Sequence, residues 1–178
     1  MKLSNYVLYH SVMKNISLGS LSSEQLLEFL GNGRQCGVLL EIEIANKFSD
    51  CVTGTQGAGA DIIREQDDKV QAKTYRSNDY PDRLVSGKDV SKRDQKKIFT
   101  TKSGLWDTKK EESERVVIVD KYFSSYDHFM YIDISTFGID YSYSFIVIPT
   151  KDVVSTHNRG YISYNDILLW VKEEVTLQ

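Results

Sequence analysis

The sequence predicts an α/β fold, a central mixed β-sheet flanked by helices, and three observations carry that expectation. Near-continuous apolar runs at Val116–Val119 and Ser144–Ile148 have the pattern of strands covered on both faces. Stripes of apolar residues at helical spacing mark helices near both ends of the chain. Between them, from Gly59 to Tyr75, lies a strand–turn–strand signature. The 178 residues suit one domain, 1–178, with a proper core, and no internal repeat, low-complexity segment or linker divides them.

The first twenty residues carry no clear period; Tyr6, Val7, Tyr9, Val12 and Met13 fit a short helix or an arm. Ser22 with Gln25 three residues on forms a capping box for a short helix through Leu26, Leu27, Phe29 and Leu30, stopped by Gly31-Asn32-Gly33. A second helix is expected from about Gln35 to Phe48. Leu40, Ile44, Phe48 and Cys51 fall on one core-facing stripe, and Gly37, Glu41, Ala45 and Phe48 on its neighbour. Glu41 therefore borders the apolar face while Glu43 turns to solvent. Small Gly37 and Ala45, one turn either side, leave room beside Glu41 for a sheet edge or a ligand.

Cys51–Gly59 is a glycine-rich loop, and it is not a phosphate-binding one because no Gly-Lys-Ser/Thr follows. Its glycines imply tight turns and close backbone approach. Beyond Tyr75 the chain is loop-like to Arg83. Ser91 with Asp94 opens a surface helix through Phe99, anchored by Ile98 and Phe99 alone. Gly104-Leu105-Trp106 is a turn with an aromatic anchor. Strands follow at Val116–Val119, at the alternating Phe129–Ile134 and at Ser144–Ile148, the last closed by Pro149. Ser163 and Asp166 cap a final amphipathic helix, about 163–175, whose buried side is Ile167, Leu168, Val171 and Val175.

Composition excludes several classes. No apolar run is long enough to span a bilayer, and the N-terminus has no apolar signal core, which predicts a cytoplasmic protein with no membrane partner. Cys36 and Cys51 are too few for a disulfide framework or a structural zinc site, so core packing is their expected role. Three scattered histidines, His10, His128 and His157, speak against a histidine-based metal or triad mechanism. The net charge of −3 is no signal for nucleic acid, but its distribution is one. Lys69–Lys110 holds twelve Lys or Arg against five Asp, a local charge of +7. A phosphate backbone fits such a stretch, and so does a solvated surface helix.

The hairpin concentrates the chemistry. Its first strand carries Asp61, Glu65-Gln66-Asp67-Asp68 forms its polar turn, and its second strand runs from Lys69 to Tyr75. Strand residues two apart share a face, so Gln71 and Lys73 emerge together while Val70, Ala72 and Thr74 face the other way. A carboxylate, an amide oxygen and an ammonium at one spot suit a hard cation and an attacking water. Singly, each residue also fits a structural role: Asp61 as a turn cap, Lys73 as a solvent-facing strand lysine, Glu41 as a surface ion-pair partner.

The order Gly37…Glu41…Ala45, then Asp61, then Gln71-Ala72-Lys73 resembles the restriction-endonuclease-like (PD-(D/E)XK) nuclease superfamily, most closely a type II restriction endonuclease. That pattern has a helix bearing Gly-x-x-x-Glu-x-x-x-Ala, a strand bearing Asp and a paired strand bearing Glu-x-Lys. Nine residues separate Asp61 from Gln71, and apolar Ile62-Ile63 directly follows the aspartate, as the pattern requires. The match is close from Gly37 to Tyr75 and architectural beyond. Two positions depart from it. Ala60 precedes the aspartate where the pattern has Pro, and Gln71 replaces the acid of the Glu-x-Lys pair, offering a hard oxygen without charge. Some members, certain homing endonucleases among them, resemble this chain in carrying Gln there.

The resemblance implies a restriction-endonuclease-like catalytic core at about 35–150 and Mg²⁺-dependent hydrolysis of double-stranded DNA, with Mn²⁺ able to substitute. Asp61, Glu41, Gln71 and the Ala72 backbone carbonyl would be metal ligands, and Lys73 would orient or deprotonate the attacking water. Arg76, Arg83, Lys88, Lys92, Arg93, Lys96, Lys97 and Lys102 are the candidate DNA contacts, arginines suiting base edges and lysines phosphate. A homodimer is expected, since two-fold symmetry places one site on each DNA strand. A Holliday-junction resolvase, a homing endonuclease of the same fold, or a non-catalytic DNA-binding protein with a degenerate metal site are the alternatives.

Overall fold

The structure, a computed structural model, describes residues 1–14, 16, 19–30, 33–54, 59–76, 84–85, 88–89, 97–99, 120–156 and 161–177. Its strands in chain order are β1 (Val7–Val12), β2 (Cys51–Thr53), β3 (Ile62–Arg64), β4 (Asp68–Tyr75), β5 (Leu84–Val85), β6 (Lys88–Asp89), β7 (Lys97–Phe99), β8 (His128–Asp133), β9 (Ser142–Pro149), β10 (Tyr161–Ser163) and β11 (Glu173–Thr176). The helices are α1 (Ser23–Leu30), α2 (Gly33–Lys47), α3 (Phe137–Asp140), α4 (Thr150–Thr156) and α5 (Tyr164–Trp170). Seven strands form one mixed sheet in the order β11-β1-β9-β8-β4-β3-β2, and β7–β10 and β5–β6 are separate pairs.

Burial explains which strands lie at the centre. In β8, Met130 and Ile132 face α1 and α2, whereas Phe129 and Tyr131 face the side covered by α4 and α5, and all four are fully buried. β9 alternates in the same way, Phe145 and Val147 against Ile146 and Ile148. Both strands are thus apolar on both faces, including Phe129–Ile134, where the sequence suggested alternation. β4 is parallel to β8, while β3 and β9 run antiparallel to their neighbours.

The two helices before the hairpin follow their sequence signals. Ser22 N–H donates to Gln25 Oε1 at 2.9 Å and Gln25 N–H to Ser22 Oγ at 3.2 Å, so the capping box closes reciprocally. In α2, Leu40 and Ile44 are fully buried, and Phe48 and Cys51 continue their stripe into the core. Cys36 and Cys51 are buried and not disulfide-bonded.

Elsewhere pairing overrides local pattern. Residues 7–12 are a strand, not a helix or arm, because they join β9 on one side and β11 on the other. Polar Ser11 occupies a buried position, and this hides the two-residue period. The final helix stops at Trp170 instead of reaching about 175. Val175 lies in β11 opposite Tyr9, completing the sheet, and Leu168 is exposed rather than buried. Lys97–Phe99, expected as the end of a basic helix, is a strand with Ile98 opposite Ile162. The rest of that helix and the strand expected at Val116–Val119 lie outside the described residues.

A polar clamp fixes the base of the hairpin. Arg64 Nε donates to Asp68 Oδ2 at 2.8 Å, and its Nη1 donates to Asn5 Oδ1 at 2.9 Å and to the Leu3 carbonyl at 3.3 Å. His128 Nδ1 lies 2.7 Å from Asp68 Oδ1 and 2.8 Å from Arg64 Nη2, and its Nε2 lies 3.0 Å from both Arg64 Nη2 and Asn5 Nδ2; a ring with its one proton on Nδ1 donates to Asp68 and accepts at Nε2. That network needs a neutral ring. Burial, reinforced by the Arg64 charge, lowers the His128 pKa below its ordinary 6.5.

Arg64→Ala is expected to cost about 2–4 kcal/mol in urea denaturation at pH 7, since it strands Asp68 and His128 in a half-buried site. The neutral His128 contribution is complete above pH 6.5 and is lost as pH falls through the lower folded value. His128→Gln should flatten that part of the stability–pH curve, and an unchanged curve would remove His128 from the clamp's energetics.

Candidate active site

The hairpin opens at Asp61. Asp61 N–H donates to the Val70 carbonyl at 3.1 Å and β3 pairing ends at Ile62–Val70, while β4 runs on to Tyr75 beside β8. Past that point the Ala72 N–H donates to Asp61 Oδ2 at 2.8 Å. A side-chain carboxylate thus takes up the backbone donor that a longer β3 would have used. The approach to Asp61 is equally constrained. Gly54 N–H donates to the Asp61 carbonyl at 2.9 Å, and a Cβ on Gly54 would lie 1.8 Å from the Ala60 carbonyl oxygen. Only glycine permits that crossing.

Gln71 and Lys73 leave β4 on the face shared with Phe129 and Tyr131, opposite buried Val70 and Ala72. The Gln71 amide donates to Asp61 Oδ2 and lies 3.4 Å from the Ala72 carbonyl oxygen. Glu41 approaches from α2. A Cβ on Gly37, one turn earlier, would sit 3.9 Å from both Glu41 Oε1 and Thr74 Cγ2. A Cβ at 37 would thus be in ordinary van der Waals contact with both, so α2 lies close to β4 there without requiring glycine. Glu43, by contrast, pairs with Lys47 at 3.1 Å.

The electrostatics join these residues. Glu41 is pushed up to about 7, first by burial and then by the negative charge of Asp61, with Lys73 opposing. Burial also raises Asp61, but the Ala72 N–H, the Lys73 charge and the Gln71 amide hold it back. Among the described residues, Lys73 is the cation whose charge acts on both carboxylates.

The donor set is the test of whether a divalent cation fits. Among the described residues no group of three or more His, Cys, Asp or Glu could form a metal site by itself. The donors present are the Asp61 and Glu41 carboxylates, the Ala72 carbonyl, and the Gln71 amide, which offers its oxygen once turned end for end. Two carboxylates with neutral oxygens suit Mg²⁺, which keeps much of its water, better than zinc. The residues present therefore fit a hard cation.

Of the candidate DNA contacts, Arg76 follows β4 directly, and its charge is felt by the Cys36 thiol of α2. Lys88 and Lys97 lie in β6 and β7, while Arg83, Lys92, Arg93, Lys96 and Lys102 lie outside the described residues. Two residues that the sequence reading passed over join the site. Tyr122, in a helical turn at 120–123, and Tyr126, just after it, both sense the Asp61 charge. They lie about fifty positions from the hairpin, and no spacing rule reaches that far. A separate cleft of about 270 Å³, lined by residues including His10, Ser11, Asp133, Tyr143 and Thr176, contains none of the four hairpin and helix residues. Comparison with protein-family models, curated proteins and solved structures finds no match to this chain.

Glu41→Gln should leave the metal-free melting temperature unchanged below about pH 4.5 and raise it progressively up to and above pH 7. The raised Glu41 pKa means that wild type loses stability as pH rises through 7, and the amide removes that loss. Above pH 7, Mg²⁺ or Mn²⁺ should raise the wild-type melting temperature, with each tenfold excess over Kd adding roughly 1.4 kcal/mol. An equal rise in Asp61→Ala would place the cation elsewhere.

Proposed function

We propose that this chain is a Mg²⁺-dependent DNA endonuclease with a restriction-endonuclease-like core, most closely a type II enzyme cutting a short duplex sequence. The observation that carries this reading is the meeting of Glu41, Asp61, Gln71 and Lys73 from one helix and one opened hairpin. Their order along the chain matches the nuclease pattern, and the mixed sheet around them is compatible with that core. Bound Mg²⁺ would supply Lewis acidity and lower the pKa of its water.

The chain's own groups then have defined tasks. Asp61, fixed by the Ala72 N–H, and Glu41, held at the end of a buried stripe, would bind the cation. Gln71 would turn its amide oxygen inward and release its present bond to Asp61. Lys73 would direct its Nζ at the water or at a phosphate oxygen, orienting the former or offsetting charge on the latter. The basic segment after β4 would lie along phosphates, and a homodimer in the cytoplasm would present one site to each strand.

Gln71 favours a second reading, a DNA-binding protein on the same fold whose metal site has lost its turnover. Incubating the protein with plasmid and with synthetic four-way junctions, with Mg²⁺, with Mn²⁺ and without either, separates the readings. Metal-dependent discrete fragments are expected, and they should disappear in Asp61→Ala and Lys73→Ala while gel-shift binding persists. Cutting of junctions alone would make the protein a resolvase. Full cleavage by Lys73→Ala would overturn the site, and binding without cleavage under any metal would leave the second reading.

A further inference from the structure

We propose that Tyr122 is a positioning residue for Lys73, an aromatic wall that keeps the ammonium turned toward Asp61. Lys73 Nζ lies over the Tyr122 ring, 5.8 Å from its centroid, within the reach of a cation–π contact. The ring is itself held on several sides. It meets Phe123 and Tyr126 edge-on at 5.7 and 5.3 Å and tilts against Phe129 at 6.0 Å. Phe129 lies opposite Gln71 and Tyr131 opposite Lys73 in the β4–β8 ladder, so the wall and the site share one face of the sheet.

The Tyr122 hydroxyl supplies the decisive detail. It is buried and has no hydrogen-bond partner among the described residues. Packing therefore sets the position of the ring, and the aromatic face is what Tyr122 offers to Lys73. A lysine on a flexible four-carbon stem otherwise spreads its charge over many rotamers and into water. An aromatic face attracts the ammonium without occupying any of its N–H donors, whereas a carboxylate in that place would consume one or two. The ring thus leaves those donors to oxygen partners. The charges of Asp61 and Glu41, which Lys73 acts on, supply the attraction that completes the placement.

The kinetic consequence rests on the nuclease reading, while the placement of Lys73 does not, and the test keeps the two apart. Reductive ¹³C-methylation labels the lysines, and Lys73→Arg identifies the Lys73 resonance by its absence. In wild type and Tyr122→Phe that resonance should show an aromatic ring-current shift, and in Tyr122→Met, which refills the space without a ring, the shift should vanish. In steady-state cleavage, Tyr122→Met should lower kcat roughly tenfold with KM for DNA changed less than about twofold, and Tyr122→Phe should restore wild-type turnover. Should Tyr122→Met lose the fold by circular dichroism, Tyr122→Leu takes its place. A resonance that ignores the loss of the ring, or turnover that does, overturns the inference. Failure of wild type to cleave with any divalent metal overturns the nuclease reading instead, and the resonance still decides the position of Lys73.

Discussion

One hydrogen bond organises the centre of this molecule: the Ala72 N–H donating to Asp61 Oδ2 at 2.8 Å. It forms where β3 stops and β4 continues, so a side chain satisfies a backbone donor beside a buried strand. Leaving that donor unpaired would cost about 1–3 kcal/mol, which ties the placement of the carboxylate to the integrity of the sheet. Gly54 contributes from the other side, since its missing side chain lets β2 cross against Ala60 just before the aspartate. The position of Asp61 is thus a backbone property more than a rotamer choice.

The charges around that bond divide the hairpin into two unlike ends. At its base, Arg64, Asp68, His128 and Asn5 satisfy one another, opposite charges are balanced, and the cluster ties the N-terminal residues to the sheet. At the opening, the Lys73 charge acts on both Asp61 and Glu41, and burial outweighs it in setting the Glu41 pKa. The balanced end stabilises the fold. At the opening, burial holds the Glu41 carboxyl toward its protonated form.

The helix stripes were legible because α1 and α2 are built from local signals: a capping box in which Ser22 and Gln25 bond each other, and Leu40, Ile44 and Phe48 at helical spacing. The hairpin was legible for the same reason, its polar turn and two-residue period lying within fifteen residues or so of one another. β1 was not, because Ser11 breaks the apolar alternation at a position that only pairing with β9 buries. Lys97–Phe99 and Glu173–Thr176 were mistaken for helix because weak local propensity yielded to a distant strand offering hydrogen bonds.

The sequence by itself determined the order Glu41, Asp61, Gln71, Lys73 and the faces on which the last two emerge. Those are matters of spacing along one helix and one hairpin. Only the tertiary structure decided that the carboxylate of Asp61 closes the edge of β4, that Glu41 feels its charge, and that Tyr122 and Tyr126 flank the site. The reason is distance along the chain: β8 brings its preceding aromatic turn beside β4 by parallel pairing, and parallel strands meet only across long connections that no local period records.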